Sequence, residues 1–412
     1  MLVRFIVTIK NQLNFMLSKI NKPAFFALII YPLILISLLV KYVSNYGIGW
    51  TEIIFLISSY YVNNITVGIG LHRLWSHHSY KINKYAEFVL VVLSAGTLQG
   101  PALSWASNHY KHHAKTDTDQ DPHSPLKFEN RVLGFIWSHI GWMLVGQGSY
   151  KSIDRITWVK LGKNNLLKWQ LRYYWQIAAF MNIAVPLIIG YLVGGTLHSA
   201  YMGFLFMGLG RFLQQQATFC VNSLCHFVGS KKYYKGTAGD IWWMALFLLG
   251  ENWHNYHHAF PSDYRNGAKW YHFDVHKWII FLMSKVGLAS ELDRTTKVRI
   301  QAKMQETLSY LSEKEKQKLK LMQAKVEQLL ENLCLKLKEL EESSTTIKEQ
   351  FRRSFIEIQE SLKNLAEQIS SAAQITEEPS KKLLKVVNRK INDAEQSIYK
   401  LYNKLNAIKV SN

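Results

Sequence analysis

Nine of the fifteen histidines in this chain fall into three short clusters. The clusters are contained in the segments HRLWSHH, NHYKHH and ENWHNYHHAF. Residues three or four apart lie on one face of a helix, so neighbouring histidines can converge on one point. Neutral imidazole is a good ligand for iron, zinc, copper and nickel, and the clusters therefore predict a metal site. The clustered residues are His72, His77, His78, His109, His112, His113, His254, His257 and His258.

Long apolar runs surround these clusters and indicate an integral membrane protein. Runs of about 20 apolar residues are long enough to cross a bilayer. A metal transporter is one alternative, but transport sites lie near the middle of the bilayer, whereas these clusters lie at the ends of the runs. The runs without Asp, Glu, Lys or Arg are 24–40, 53–71, 88–107 and 173–198, and the run 202–227 holds one charge, Arg211.

The distribution of basic residues predicts the topology. Residues 1–22 hold four basic residues among apolar ones and read as a basic interfacial segment without a cleavable signal. The N-terminus is therefore placed in the cytoplasm. The net charge of +20 is concentrated beside the spans, as the positive-inside rule produces, so we expect no nucleic-acid partner. The predicted spans are about 24–41, 52–71, 173–196 and 202–227.

One apolar run is predicted not to cross the membrane. Residues 86–107 would separate the first two histidine clusters onto opposite sides if they spanned the bilayer. Gly96, Gln99, Gly100 and Pro101 interrupt this run and weaken a straight helix there. A re-entrant or interfacial placement leaves every cluster on the cytoplasmic side.

The last part of the chain has a different character. Between 291 and 412, apolar residues recur at intervals of three and four, which predicts three coiled-coil helices. Such a tail can self-associate, recruit a protein partner or be an inert appendage. The predicted fold class is all-α, a four-helix transmembrane bundle with a cytoplasmic helical cap that carries the histidines, plus the coiled-coil tail. The predicted domains are 1–22, 23–290 and 291–412.

The three clusters resemble the histidine boxes of the membrane-bound fatty acid desaturases in order and interval. The segment NSLCHFVG, residues 222–229, resembles the extra Asn and His of the acyl-CoA Δ9 (stearoyl-CoA type) desaturases. The resemblance covers roughly residues 25–290, and it suggests a bacterial enzyme of the inner membrane with an added tail.

The resemblance implies a di-iron centre, with no catalytic residue beyond the metal centre. Asn222 would reach one iron through a water molecule. His78 stands where many relatives have Arg and is the weakest ligand candidate. The implied iron ligands are His72, His77, His109, His112, His113, His226, His254, His257 and His258.

The implied reaction introduces a cis double bond, at Δ9, into a saturated acyl thioester with O2 and two electrons. An acyl chain needs an apolar tunnel, and polar side chains inside a span are costly unless they face a cavity. The tunnel candidates are Trp105, Arg211, Gln215, Phe219, Trp243 and Trp253.

The electrons must come from outside the chain. The sequence holds no CxxC pair, GxGxxG or HPGG motif, so a reductase with ferredoxin or a b-type cytochrome is implied. Ser107 and Asp240 depart from the residues found in many relatives. Acyl-CoA, acyl carrier protein and lipid-bound chains therefore all stay open as carriers.

Two other functions are compatible with the histidine clusters. Related membrane hydroxylases share the boxes and insert oxygen instead of removing hydrogen. A non-enzymatic scaffold would bind metal and act through the coiled coil.

Overall fold

The computed structural model describes residues 20–145, 153–341, 346–375 and 381–410. It consists of two compact units, Met1–Met304 and Gln305–Asn412. Both units are mostly helical. The predicted interfacial segment 1–22 lies almost wholly outside the described residues.

Helices make up most of the described residues, and two short strands complete them. In chain order, their bounds are α1 (Lys22–Tyr46), α2 (Trp50–Ser76), β1 (Lys81–Ile82), α3 (Lys84–Gly96), α4 (Ala102–Lys115), α5 (Arg131–Ile136), α6 (Trp142–Leu144), α7 (Arg155–Leu161), α8 (Asn165–Gly194), α9 (Leu197–Asn222), α10 (Leu224–Phe227), α11 (Ala245–Leu248), α12 (His254–Ala259), α13 (Val275–Lys285), β2 (Ala289–Ser290), α14 (Lys297–Glu341), α15 (Thr346–Ile375) and α16 (Lys381–Val410).

Three of the described helices are long and apolar enough to cross a membrane. They are α1, α2 and α8, with 25, 27 and 30 residues. At about 1.5 Å per residue each exceeds the roughly 30 Å of a hydrocarbon core. The predicted spans 24–41, 52–71 and 173–196 each lie on one of these helices.

The fourth predicted span, 202–227, corresponds to α9 and the short α10. Helix α9 has 26 residues, but Arg211 and the glutamines 214–216 make it less apolar, and it is not one of the three helices above. Its glycines allow close packing against its neighbours. A Cβ on Gly210 would lie 2.1 Å from Leu56 O of α2, and one on Gly203 would lie 2.5 Å from Pro186 O of α8. Helix α9 is therefore held between two apolar helices.

The run 86–107 is broken into two short helices. Helix α3 ends at Gly96 and α4 begins at Ala102, with 13 and 14 residues respectively. Leu98 and Gly100 between them have φ angles of 52° and 94°. Each helix is about 20 Å long and too short to cross a bilayer. The re-entrant or interfacial placement of this pair stays a prediction.

Polar side chains of α8 accept hydrogen bonds from the backbone between α3 and α4. The Gln170 Oε1 accepts a hydrogen bond from the Ala102 N–H at 2.8 Å. The Tyr174 hydroxyl accepts one from the Gly100 N–H at 2.9 Å. Backbone groups that leave a helix in apolar surroundings need such partners, because no water is available to replace the lost bonds.

Helix α9 supports the same break from the other side. The Gln215 Nε2 donates to Thr97 O at 3.0 Å, and the Gln215 Oε1 accepts from Arg211 Nη1 at 3.1 Å. The Arg211 guanidinium also lies over the Tyr31 ring, 4.9 Å from its centre. Both α9 side chains are buried. Gln215 therefore braces the broken helix directly, and Arg211 supports Gln215.

A small feature departs from the predicted all-α class. Strand β1 pairs with β2 in a two-stranded antiparallel sheet, with Lys81 opposite Ser290 and Ile82 opposite Ala289. This sheet ties the end of α2 to the segment that precedes the tail. Helix α13 packs beside it, with Ile280 fully buried in the core that α2 also lines.

The first compact unit ends at Met304, and the domain boundary predicted at residue 290 stays a prediction. Ile300 and Met304, in the first turns of α14, pack against Tyr256 and Phe260 of the histidine-bearing segment. The second unit contains the rest of α14 with α15 and α16. Its buried apolar core consists of Met322, Val326, Leu362, Leu365, Val387, Ile391 and Ile398.

We expect two truncations to behave differently. A chain ending at Met304 keeps the packing on Tyr256 and Phe260, whereas one ending at Leu292 loses it. The shorter chain should be destabilised by about 1–3 kcal/mol, the value of burying one or two apolar side chains. Thermal unfolding of both purified proteins in the same detergent, beside the full chain, measures the difference. Equal midpoints for the two truncations would place the domain boundary at residue 290.

Candidate metal centre

Five histidines from three segments meet in a first group. The Nε2 atoms of His72 and His257 are 3.0 Å apart, and those of His77 and His109 are 2.7 Å apart. The His113 Nε2 lies 3.0 Å from that of His257. Helix α2 and the turn after it provide two of these rings, α4 provides two and α12 provides one.

Four histidines form a second group beside it. The His112 and His258 Nε2 atoms are 3.2 Å apart, and those of His226 and His254 are 3.0 Å apart. The His254 and His258 Nε2 atoms are 3.1 Å apart. All four rings are buried. Helix α10 provides His226, and α4 and α12 provide the others.

The helical period divides neighbouring histidines between the groups. On α4, His109 and His113 are four residues apart and share one face, while His112 turns toward the second group. On α12 the division is reversed, because His254 and His258 enter the second group and His257 enters the first. Each of these helices therefore serves both groups.

The spacing and chemistry of both groups fit metal ions. Two imidazole nitrogens bound at right angles to one ion at about 2.1 Å would lie about 3.0 Å apart. Burial, together with the neighbouring rings, holds the pKa of His109, His112 and His257 well below the ordinary value. These three rings are therefore neutral, which is the form that binds a metal.

Groups outside the second cluster orient its rings. The His112 Nδ1 donates to Asp121 at 3.0 Å, which leaves the lone pair on the inward Nε2. The His226 Nδ1 lies 2.7 Å from Thr237 Oγ1, whose hydroxyl donates to Asp117. Such outer partners fix the ring and the tautomer of a metal ligand. No pattern in the sequence singles out Asp121, Asp117 or Thr237.

A buried charged network orients the first cluster. The Glu251 Oε2 lies 2.7 Å from His72 Nδ1, and its Oε1 lies 3.0 Å from His276 Nδ1. Arg73 lies between Glu251 and Asp274, at 3.1 and 3.0 Å. Burial alone would raise the pKa of Glu251, but His72 and Arg73 hold it well below its ordinary value. The network therefore places an ionised carboxylate behind His72.

Two histidines lie beside the groups. His78, the weakest ligand candidate, belongs to neither group among the described residues, and its Nε2 lies 2.7 Å from the Tyr110 hydroxyl. His123 was not predicted, and it forms a third possible metal-binding set with His112 and Asp121. Its ring packs on His112 with the centres 4.1 Å apart, and burial lowers the pKa of His123 to about 4. The Asp121 carboxylate already accepts hydrogen bonds from His112 Nδ1 and from the backbone N–H of His123. We therefore interpret this set as residues that orient His112.

A cavity borders the histidines. Its empty volume, including the mouth, is about 1280 Å³, and its wall contains His72, His109, His112 and His254. Asn222, the predicted water-mediated ligand, is also part of the wall. The remaining wall is mostly apolar, and it includes Ala24, Ala27, Leu28, Val67, Leu98, Pro101, Trp142, Met143 and Trp175.

The six predicted tunnel residues divide by position. Trp105 and Phe219 line the cavity. Arg211 and Gln215 are instead buried beside the broken helix: Gln215 donates to its backbone, and Arg211 donates to Gln215. The remaining two are away from the cavity wall: Trp243 is 52% exposed, and Trp253 stacks on the His272 ring at 4.0 Å.

Comparison with known proteins gives a consistent result. The probable acyl-CoA desaturase of Schizosaccharomyces pombe is 36% identical over 258 residues, 61% of this chain and 52% of that protein. Acyl-CoA desaturase 1 of Saccharomyces cerevisiae is 36% identical over 247 residues, 58% of this chain and 46% of that protein. The match spans about half the length of these two relatives. Delta-9 acyl-lipid desaturase 2 of Arabidopsis thaliana is 29% identical over 265 residues, 64% of this chain and 80% of that protein.

The sequence profile described as "Fatty acid desaturase" matches residues 48–281, which is more than half of the 412 residues. The matched region contains both histidine groups and most of the cavity wall. The chain therefore belongs to the fatty acid desaturase family.

Proposed function

We propose that this protein is a membrane di-iron desaturase that introduces a cis double bond, at Δ9, into a saturated acyl chain. The observation that carries the proposal is the pair of buried imidazole groups at the wall of an apolar cavity. The first group would hold one iron through His72, His77, His109, His113 and His257. The second would hold the other through His112, His226, His254 and His258, with Asn222 acting through a water molecule.

The residues of the chain supply position and surroundings for this chemistry. Two irons with O2 supply, when bound, an oxidant strong enough to remove hydrogen from an unactivated methylene chain. The cavity wall confines the acyl chain and keeps bulk water away from the histidines. Two hydrogen atoms from the acyl chain, two electrons from the donor and two protons from solvent reduce one O2 to two water molecules, while the two chain carbons form the double bond. Because the ligands are neutral, both irons keep their positive charge.

The proposed membrane arrangement has four spans. Helix α9 would be the fourth, since Gln215 donates to the broken helix next to it and accepts a hydrogen bond from Arg211. With four crossings, both termini and both histidine groups would face the cytoplasm of a bacterial inner membrane. The coiled-coil tail would then be available there for self-association or for a protein partner.

The names of the relatives bear on the acyl carrier but do not name an electron donor. Two relatives are named acyl-CoA desaturases and one is named an acyl-lipid desaturase. We favour an acyl-CoA thioester, with acyl carrier protein and lipid-bound chains as the alternatives. A separate reductase with ferredoxin or a b-type cytochrome would supply electrons.

The two alternatives are less well supported. A hydroxylase would use the same histidines, but the three relatives above are all named desaturases. A metal-binding scaffold does not need an apolar cavity that reaches its metal ligands, and this chain has one.

Expression in a desaturase-deficient host tests the reaction. We expect the cell lipids to gain cis-monounsaturated chains with the double bond between carbons nine and ten. Gas chromatography with mass spectrometry of the fatty acids reports reaction type, bond position and chain length together. The His109→Ala variant, which removes a ligand of the first group, is the inactive control. Hydroxylated chains in place of unsaturated ones would show that the protein is a hydroxylase.

Variants of His226 and Asn222 distinguish a direct iron ligand from one that acts through a water molecule. We expect His226→Ala to lower iron from about two to about one per chain, because three rings of its group are too few for a stable site. Asn222→Ala should keep more iron and still lose most of its activity. Iron by mass spectrometry and product yield are measured beside His198→Ala, an exposed histidine outside both groups. Full iron and full activity in His226→Ala would remove that residue from the ligand set.

A variant of Asp121 tests whether its hydrogen bond to His112 stabilises metal binding in the second group. Asp121→Asn removes the charge that holds the His112 Nδ1–H, and loss of such a partner weakens metal affinity by about 10–100-fold. Iron retained during titration with a chelator measures the change. Asp119→Asn changes the same chemical group at an exposed position and should match the unmodified protein. Identical chelator curves for both variants would mean that Asp121 does not support His112.

A further inference from the structure

Helix α13 is apolar on both of its faces. Its inner face packs into the core that α2 forms: Ile280 is fully buried there, and Ile279 and Met283 are partly buried. Trp278, Phe281 and Leu282 occur on the other side of the helix. A helix that is apolar all round is expected either inside a large core or in contact with lipid.

Among the residues that the structure describes, no protein covers the outer face of α13. Leu282 is 62% exposed and Phe281 45% exposed. The loop before the helix adds Trp270, which is 85% exposed, and Tyr271, which is also exposed. Tryptophan and tyrosine are enriched where a protein meets the headgroup layer of a membrane. All of these exposed residues lie between positions 270 and 282.

The contacts of α13 fix its depth beside a candidate span. The His276 ring lies so close to Gly68 of α2 that a Cβ there would come 2.1 Å from it. Asp274, which caps α13, pairs with Arg73 of α2 at 3.0 Å. Gly68 and Arg73 belong to the last turns of the helix Trp50–Ser76. The start of α13 is therefore level with the end of a membrane-spanning helix, where hydrocarbon gives way to headgroups.

A basic pocket of about 540 Å³ adjoins this face. Trp270, Trp278 and Phe281 form part of its wall, together with Lys269 and Arg294. Lys269 and Arg294 are exposed, and neither pairs with a carboxylate in the described part of the chain. The Lys269 Nζ lies over the exposed Tyr271 ring, 5.4 Å from its centre. Two other basic residues of the wall are already engaged, since Arg265 pairs with Asp263 and Lys277 donates to backbone carbonyls.

We propose that the outer face of α13 lies in the membrane interface and that the pocket beside it binds the phosphate of an anionic phospholipid. The aromatic and aliphatic side chains would contact the upper acyl chains, while Lys269 and Arg294 would bind the headgroup phosphate. Guanidinium and ammonium groups are the usual partners of phosphate. The pocket shares no wall residue with the cavity that reaches the histidines. This lipid site is therefore separate from the substrate site.

Photo-crosslinking of the full-length protein in lipid nanodiscs tests the membrane contact. Phe281 is replaced by the photoreactive residue benzoylphenylalanine, and lipid adducts are identified by mass spectrometry. We expect adducts at position 281, as at Ile57, an exposed residue of α2 that serves as the positive control. Adducts at Ile57 without any at position 281 would show that α13 is not in the membrane.

Lipid selectivity tests the headgroup site. In nanodiscs of mixed phosphatidylcholine and phosphatidylglycerol, we expect adducts at position 281 to be enriched in phosphatidylglycerol about fivefold or more over the bulk ratio, the factor that one basic residue contributes. Lys269→Glu with Arg294→Glu should abolish the enrichment, and the milder Lys269→Gln with Arg294→Gln should reduce it. Lys314→Glu with Lys318→Glu makes the same charge change at exposed tail positions and should leave it unchanged.

Two results would overturn the headgroup site. Adducts that follow the bulk lipid ratio in the unmodified protein would mean that the pocket does not select anionic lipid. Enrichment that survives in a folded Lys269/Arg294 variant would assign the selectivity to other residues. If the double variant Lys269→Glu with Arg294→Glu does not fold, the double variant Lys269→Gln with Arg294→Gln gives the decisive measurement.

Discussion

The packing of nine imidazole rings around two points is the constraint on which this structure depends. Buried rings cannot be protonated cheaply, because burial disfavours the charged form. Nε2 atoms that face one another at about 3 Å are spaced as ligands of a shared cation would be. The nearby carboxylates of Asp121 and Glu251 lie behind the rings and contact Nδ1 atoms. The carboxylates are thus kept outside the ligand shell, and the inward-facing atoms are imidazole nitrogens.

Bringing these rings together imposes an irregular backbone on a membrane protein. The last turns of α2, from Thr66 to Ser76, are a π-helix, and the chain between α3 and α4 leaves helical geometry altogether. In apolar surroundings each freed backbone group needs a partner. Gln170 and Tyr174 of α8, with Gln215 of α9, provide those partners. Polar side chains in the spans therefore form part of the scaffold that positions α4 and its three histidines.

The histidine clusters could be predicted from the sequence because their density and spacing are local properties. Their division into groups follows from the turn of each helix, but it needs the relative orientation of α4, α10 and α12, which no local pattern contains. Arg211 and Gln215 show a different limit. A polar residue in an apolar run predicts a buried partner, and the sequence does not say whether that partner is a cavity or a backbone carbonyl. Both side chains contact protein in this fold.

The side chains that contact the outward-facing Nδ1 atoms of the histidines could not be predicted from the sequence for a similar reason. Glu251 directly precedes the third histidine cluster, yet its importance comes from His72, which is 179 positions earlier in the chain. Asp274 continues this contact outward, because it pairs with Arg73 and also caps α13. A chain of buried charged groups therefore connects a ligand of the first group to the helix that borders the membrane surface. Since a buried charge is costly to leave unpaired, movement of α13 would require Arg73 and Glu251 to find new partners. The position of α13 and the orientation of the His72 ring are thus fixed by the same interactions.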